Sequence, residues 1–262
     1  MKKLFCLIVS LFIIIGFVSG CAKTGSAPSD GDTDNSNQLY VTSFQALVIQ
    51  TEDGLLVKPD KNSSEYKSSD KISVRTGDTL IYDKDGRSIE LKDLKDGDIV
   101  EIAYDGIIME SYPAQISSYS IKIMDTLLVD GYLSLIDDIY NEDTGLNSDI
   151  GIIAIDTEEM TNLSELEKEK LLANIKDKYN MEVKKGTFDE LAEEGLIDKE
   201  NLYFENGILI KITKPVFDEK AQKITCGIEK WRSGLGAIGS NDVTAQYNGS
   251  EWTITKNGTW IS

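Results

Sequence analysis

The apolar residues of this 262-residue chain change their spacing near residue 125, and that change restricts the fold to strands first and a mixture of helices and strands afterwards. From 40 to 124 the sequence is short apolar runs cut by turn residues. Residues 44–49 precede Glu52-Asp53-Gly54, 72–74 lead into Thr76-Gly77-Asp78, and 79–82 lead into Asp83-Lys84-Asp85-Gly86. Asp96-Gly97-Asp98 then introduces 99–104, which alternates after its first residue. Turns at this spacing predict a small closed or partly closed β-barrel, in which a short helical turn within 91–98 feeds a strand through Gly97.

Beyond 125, Val129, Tyr132, Leu133, Ile136, Ile139 and Tyr140 recur at helical spacing and predict an amphipathic helix over 125–141. Residues 150–155 read as a buried strand. Ser164 with Glu167 and Thr187 with Glu190 each place a hydroxyl three residues before a carboxylate, the reciprocal pattern that starts helices; they predict one helix over 164–179 and a short one ended by Gly195. Strands are expected at 208–212, 223–231, 243–247 and 252–255, with Asn248-Gly249 as a hairpin signal between the last two. The class is therefore α+β: a small β-barrel domain over 40–124 and, over 125–262, helices packed on a curved antiparallel sheet. In this order of elements the second domain resembles the cystatin-like and NTF2-like cone folds.

The first residues read as an export signal. Met1-Lys2-Lys3 supplies positive charge, and residues 4–17 form an apolar run broken by Ser10 and Gly16. A spanning helix needs ~20 apolar residues, so the shorter run predicts a cleaved signal over 1–20. Val18-Ser19-Gly20-Cys21 resembles the bacterial lipobox, which implies cleavage between Gly20 and Cys21 and a diacylglycerol on the Cys21 thiol. Residues 21–39, rich in Gly, Ser, Asp and Asn, predict a flexible tether. The expected location is the extracytoplasmic face of a cell membrane, reached through the lipid. Cys6 leaves with the signal and Cys21 is acylated, so Cys226 has no disulfide partner and is expected to be buried.

Lys2 and Lys3 also leave with the signal and no acid does, so the formal charge moves from -18 to -20. So acidic a surface repels phosphate backbones and anionic lipid headgroups, which argues against nucleic acid and against adsorption to the bilayer face, while it suits proteins with basic patches, cationic peptides, or small-molecule ligands such as polyamines and metal cations. No histidine occurs. Its absence removes Ser-His and Cys-His nucleophiles, histidine-containing zinc sites and the usual near-neutral general base. Asp30, Asp32 and Asp34 are spaced like the start of a calcium loop, but Asn35 stands where the turn glycine belongs and Val41 where the bidentate glutamate belongs. No metal, cofactor or catalytic residue is expected. Gly234-Leu235-Gly236-Ala237-Ile238-Gly239 has the letters of a dinucleotide loop, yet a strand follows where a helix would be needed, so a connection between antiparallel strands is the expectation. The acid pairs Asp137-Asp138, Glu142-Asp143 and Glu193-Glu194 are expected on solvated helix faces. Trp231 and Arg232, beside that glycine-rich stretch, are the candidate ligand-binding pair, through ring stacking and a carboxylate clamp.

Two further resemblances rest on short segments. Glu110-Ser111-Tyr112-Pro113-Ala114-Gln115, with the strand before it, is similar to an uncharacterised OB-like small-barrel family of bacterial lipoproteins, over 40–124; it implies a fold and no activity. Leu146-Asn147-Ser148-Asp149-Ile150, Thr187-Phe188-Asp189-Glu190-Leu191 and Lys230-Trp231-Arg232-Ser233-Gly234 resemble extracytoplasmic domains of Gram-positive lipoproteins and of membrane metallopeptidase sensors, over 126–262. The peptidase signature itself is missing. The expected function is a non-catalytic binding or sensing module on a membrane anchor; the alternatives are a carboxylate-dependent envelope hydrolase and an acidic regulator of a membrane protein.

Overall fold

The computed structural model describes residues 41–262 apart from Asp53, and these belong to one compact unit. The expected signal over 1–20, Gly20 and Cys21, the tether 21–39 and the aspartates at 30, 32 and 34 lie outside the described residues. Among the described residues no helix is long and apolar enough to cross a membrane.

The first half contains β1 (Thr42–Gln50), β2 (Leu55–Pro59), α1 (Ser64–Ser68), β3 (Ile72–Arg75), β4 (Leu80–Tyr82), β5 (Ser88–Ile89), β6 (Ile99–Tyr104) and β7 (Ala114–Ile123). Five of the strands run β3-β2-β1-β6-β7, and β7 closes the ring by pairing with β3 in parallel, Ile72 opposite Ala114. The period-2 pattern explains the closure: Phe44, Ala46 and Val48 of β1, Leu55 and Val57 of β2, and Ile72 and Val74 of β3 all point inward and are buried. The β4–β5 hairpin extends from β7. Inside, the Tyr104 hydroxyl donates to Glu65 Oε1 at 2.8 Å, which partners a carboxylate that α1 buries. The helical turn expected within 91–98 is a 3-10 turn at Leu91–Asp93.

The second half contains α2 (Leu127–Asn141), β8 (Ile152–Asp156), α3 (Glu165–Tyr179), β9 (Glu182–Lys185), α4 (Phe188–Glu193), β10 (Gly207–Asp218), β11 (Lys223–Ser233), β12 (Gly236–Tyr247), β13 (Trp252–Lys256) and β14 (Trp260–Ile261). Both expected capping boxes form: the Glu167 amide donates to Ser164 Oγ and the Glu190 amide to Thr187 Oγ1. The sheet order is β13-β12-β11-β10-β8-β9, with β14 on β12. Its antiparallel part is β10–β13; β8 pairs in parallel with both β9 and β10, so the sheet is mixed. All five residues of β8 are buried, as both faces of the strand are covered. On one face Ile153 and Ile155 meet α2 and α3 in the main core; on the other Ile152 and Ala154 meet Leu191 of α4 and Phe204.

Two sequence expectations change in detail, and a third holds. Asn248 and Gly249 do turn the β12–β13 hairpin, but within a four-residue loop, because Tyr247 pairs with Trp252 and Asn248 Oδ1 accepts from the amides of Ser250 and Glu251. Asp137 and Asp138 of α2 and Glu142 just after it are not simply solvated: Asp138 and Glu142 both meet Lys256 of β13, and Asp137 meets Lys178 and the Tyr179 hydroxyl. Gly234 and Leu235 form the turn of the β11–β12 hairpin, so the glycine-rich stretch opens no helix, as expected.

Candidate functional site

The parallel strands set the place of the site. From β8 the chain runs through α3 to β9 on one side, and from β9 through α4 to β10 on the other side of β8. Two like-handed crossovers that leave in opposite directions must put their helices on opposite faces of the sheet. α3 joins the core of α2, and α4 covers the reverse face. The connections that leave the carboxyl ends of β8 and β9 therefore diverge, which leaves a crevice at the point where the strand order reverses.

Residues from each element line that crevice. A cavity of about 550 Å³ is bounded by Asp156 and Glu158 at the end of β8, Thr187, Phe188 and Glu190 at the start of α4, and Leu209, Lys211, Glu229 and Trp231 from β10 and β11. A smaller one of about 200 Å³ continues past Asp156, Glu158 and Thr187 to Gly186, Lys185 and Lys168.

The register aligns three charges in its floor. Asp156 pairs with Lys211 across β8–β10, and Lys211 with Glu229 across β10–β11, so acid, base and acid form one row over three strands. Asp156 is buried; its Oδ2 lies 3.2 Å from Lys211 Nζ, and its Oδ1 accepts from the Glu158 amide at 3.0 Å. Burial works against the Lys211 ammonium, but the hydrogen bond and charge of Asp156, with Glu159 and Glu229 nearby, hold its pKa above the ordinary value. Burial raises the Glu229 carboxyl above its usual range; Lys211 pulls it back and Asp156 adds to the rise. The next row is Ala154, Leu209 and Trp231, apolar and partly roofed by Phe188, whose ring meets Trp231 edge-on at 5.1 Å. At the smaller end Lys185 and Lys168 both bind Glu165, whose carboxyl they hold below its usual range.

The structure separates Trp231 from Arg232. Successive side chains of a strand face opposite ways, and Arg232 turns away from the crevice to donate to the carbonyls of Leu146, Ser148 and Glu205. Lys230, two residues before it, faces the same side and donates to the carbonyls of Tyr140, Glu142 and Asp143. Both cations thus hold the α2–β8 connection, and Trp231 alone lines the crevice. Cys226 is buried in the main core, and burial pushes its thiol up to about 12, so it is no nucleophile. Asp156, Lys211 and Glu229 escape a linear reading because strand register brings them together. The one local signal is Asp156 itself, an acid that ends a fully apolar run. Among the described residues no cluster of acids or cysteine could cage a metal ion.

Residues 46–125 match a family model described as a protein of unknown function, DUF3221; the match runs from within β1 to just past β7, over the barrel and none of the second sheet. No curated protein is similar to the chain.

Proposed function

We propose that this chain is a lipoprotein held at the extracytoplasmic face of a membrane through Cys21, and that its second sheet binds a ligand without chemical turnover in the crevice between the end of β8, the start of α4 and the adjoining face of β10 and β11. The observation that carries the binding reading is the Asp156–Lys211–Glu229 row beneath the Trp231 and Phe188 rings, in a cavity of about 550 Å³ at a strand-order reversal. Ligand sites favour such a strand-order reversal, and here a short apolar wall of Phe188, Leu209 and Trp231 stands beside a strongly charged floor.

The same row argues against a carboxylate hydrolase. Two acids can share acid and base roles only when they face each other across room for water or substrate. Here Lys211 occupies the strand between Asp156 and Glu229, and both Asp156 oxygens already have partners. A screen of small molecules and short peptides by amide chemical shift should therefore find binders whose perturbations cluster at 156–158, 186–190, 209–211 and 229–231. Shifts scattered over the barrel or confined to the opposite sheet face would reject the crevice. For the anchor, a labelled fatty acid fed to the native host should mark the wild-type protein and hold it in the membrane fraction; the Cys21→Ala protein should carry no label and be released. Equal labelling of the two would reject the anchor.

A further inference from the structure

The charges of the crevice that are already partnered reveal those left for an occupant. Five carboxylates line the larger cavity, and Lys211 is its one cation among the described residues. Asp156 is held by Lys211 and the Glu158 amide, Asp189 by Lys199, and Glu190 by Thr187 at the start of α4. Glu158 and Glu229 have neither an ion pair nor a side-chain hydrogen bond among the described residues. They do not converge with other acids on a metal cage. What adjoins Glu229 is aromatic: Trp231 lies two residues along the same face of β11, ~7 Å away by strand rise, with Leu209 opposite it and Phe188 above. A half-buried carboxylate beside an indole wall suits a cation with a hydrocarbon stem, because the ring face attracts the charge and the stem replaces water on the apolar wall. A hydrated metal ion would gain nothing from that wall, and an anion would meet five carboxylates against one lysine.

We propose, on the premise that the crevice is a ligand site, that its occupant presents a primary alkylammonium group, with the ammonium against Glu229 and Glu158 and the stem along Trp231, Phe188 and Leu209. A free diamine and the lysine side chain of a peptide present the same chemistry, and the cavity has room for either stem. The raised carboxyl of Glu229 is consistent with a group that gains from a positive partner.

The test is titration of the full-length protein in detergent with 1,5-diaminopentane, with a short lysine peptide, with 1,5-pentanediol, and with the same peptide acetylated on lysine. The diamine, the lysine peptide or both should bind at least tenfold more tightly than their neutral counterparts. The preference should weaken as salt rises and fall at least tenfold in Glu229→Gln. Trp231→Phe, which keeps an aromatic wall, should cost only a few fold. Binding of the diamine alone identifies a free amine as the source, and binding of the peptide alone identifies a lysine side chain; both support the ammonium. Equal binding of the diol or the acetylated peptide in the crevice would overturn the ammonium and leave the ligand site standing. Failure of both amines would overturn it too. A crevice silent to the whole screening library would remove the premise as well.

Discussion

Lys230→Met should cost about 3–5 kcal/mol of folding stability, the loss typical when a buried charge network loses one member. Lys230 is fully buried, yet its ammonium meets four oxygens: the carbonyls of Tyr140, Glu142 and Asp143, and Asn147 Oδ1 at 3.1 Å. Those carbonyls belong to the end of α2 and the turn after it, where the helix has no amides left to satisfy its acceptors and its dipole favours a cation. The Tyr140 ring adds a face 5.9 Å from the ammonium. Methionine fills the volume but leaves the acceptors buried without a donor. Urea unfolding measures the difference, and a loss below about 1 kcal/mol would refute this account.

Burial also lowers the Lys230 pKa to about 8, against the pull of Asp143 and Glu142, from the 10.5 expected in the unfolded chain. Between those values the unfolded state keeps a proton that the folded state has lost, so this residue's contribution to stability rises with pH across that window. Below pH 8 its contribution is flat. The wild type's advantage over Lys230→Met should therefore grow from pH 8 towards 10, by at most about 1.4 kcal/mol per unit. Groups common to both proteins, such as Cys226, cancel in the difference. An advantage that shrinks over this range would show that the ammonium is not desolvated.

Gly239→Ala should cost about 2–3 kcal/mol, far more than the same change at the other two glycines of the stretch. A Cβ at Gly239 would stand 2.6 Å from the Ile228 carbonyl oxygen and 2.5 Å from Trp260 Cζ2, and the first of these is backbone that cannot swing aside. At Gly236 the close neighbour is the Ser233 hydroxyl, which can rotate, and at Gly234 only Leu202 is near, at 3.5 Å. Both substitutions there should cost below about 1 kcal/mol. Thermal unfolding of the three variants gives the order directly. Equal losses would mean that turn conformation, rather than the approach of Trp260 and β11, explains these glycines.

The barrel and the helices of this chain were legible because their signals are local. Alternation along β1 marks its buried face, Ser164 with Glu167 and Thr187 with Glu190 mark two helix starts, and the spacing from Val129 to Ile139 marks the face of α2. The edge strand β9 was not legible. Its residues Glu182–Lys185 carry too little apolar pattern, and β8 recruits them by parallel pairing. Trp231 and Arg232 looked like one clamp because they are neighbours in sequence. As strand neighbours they face opposite sides, and each works with residues far along the chain, Phe188 for one and Leu146, Ser148 and Glu205 for the other.

The sequence by itself determined the α+β class, the change from strands to helices near 125, the helix caps and the acidic surface, since periodicity and capping record what each segment does with its own backbone and solvent. Only the tertiary structure decided that β8 lies between β9 and β10, that Asp156, Lys211 and Glu229 share a row, and that Lys230 closes the end of α2. Strand order and register are fixed by pairing between residues that stand tens of positions apart, and a one-residue slip would send every side chain to the other face.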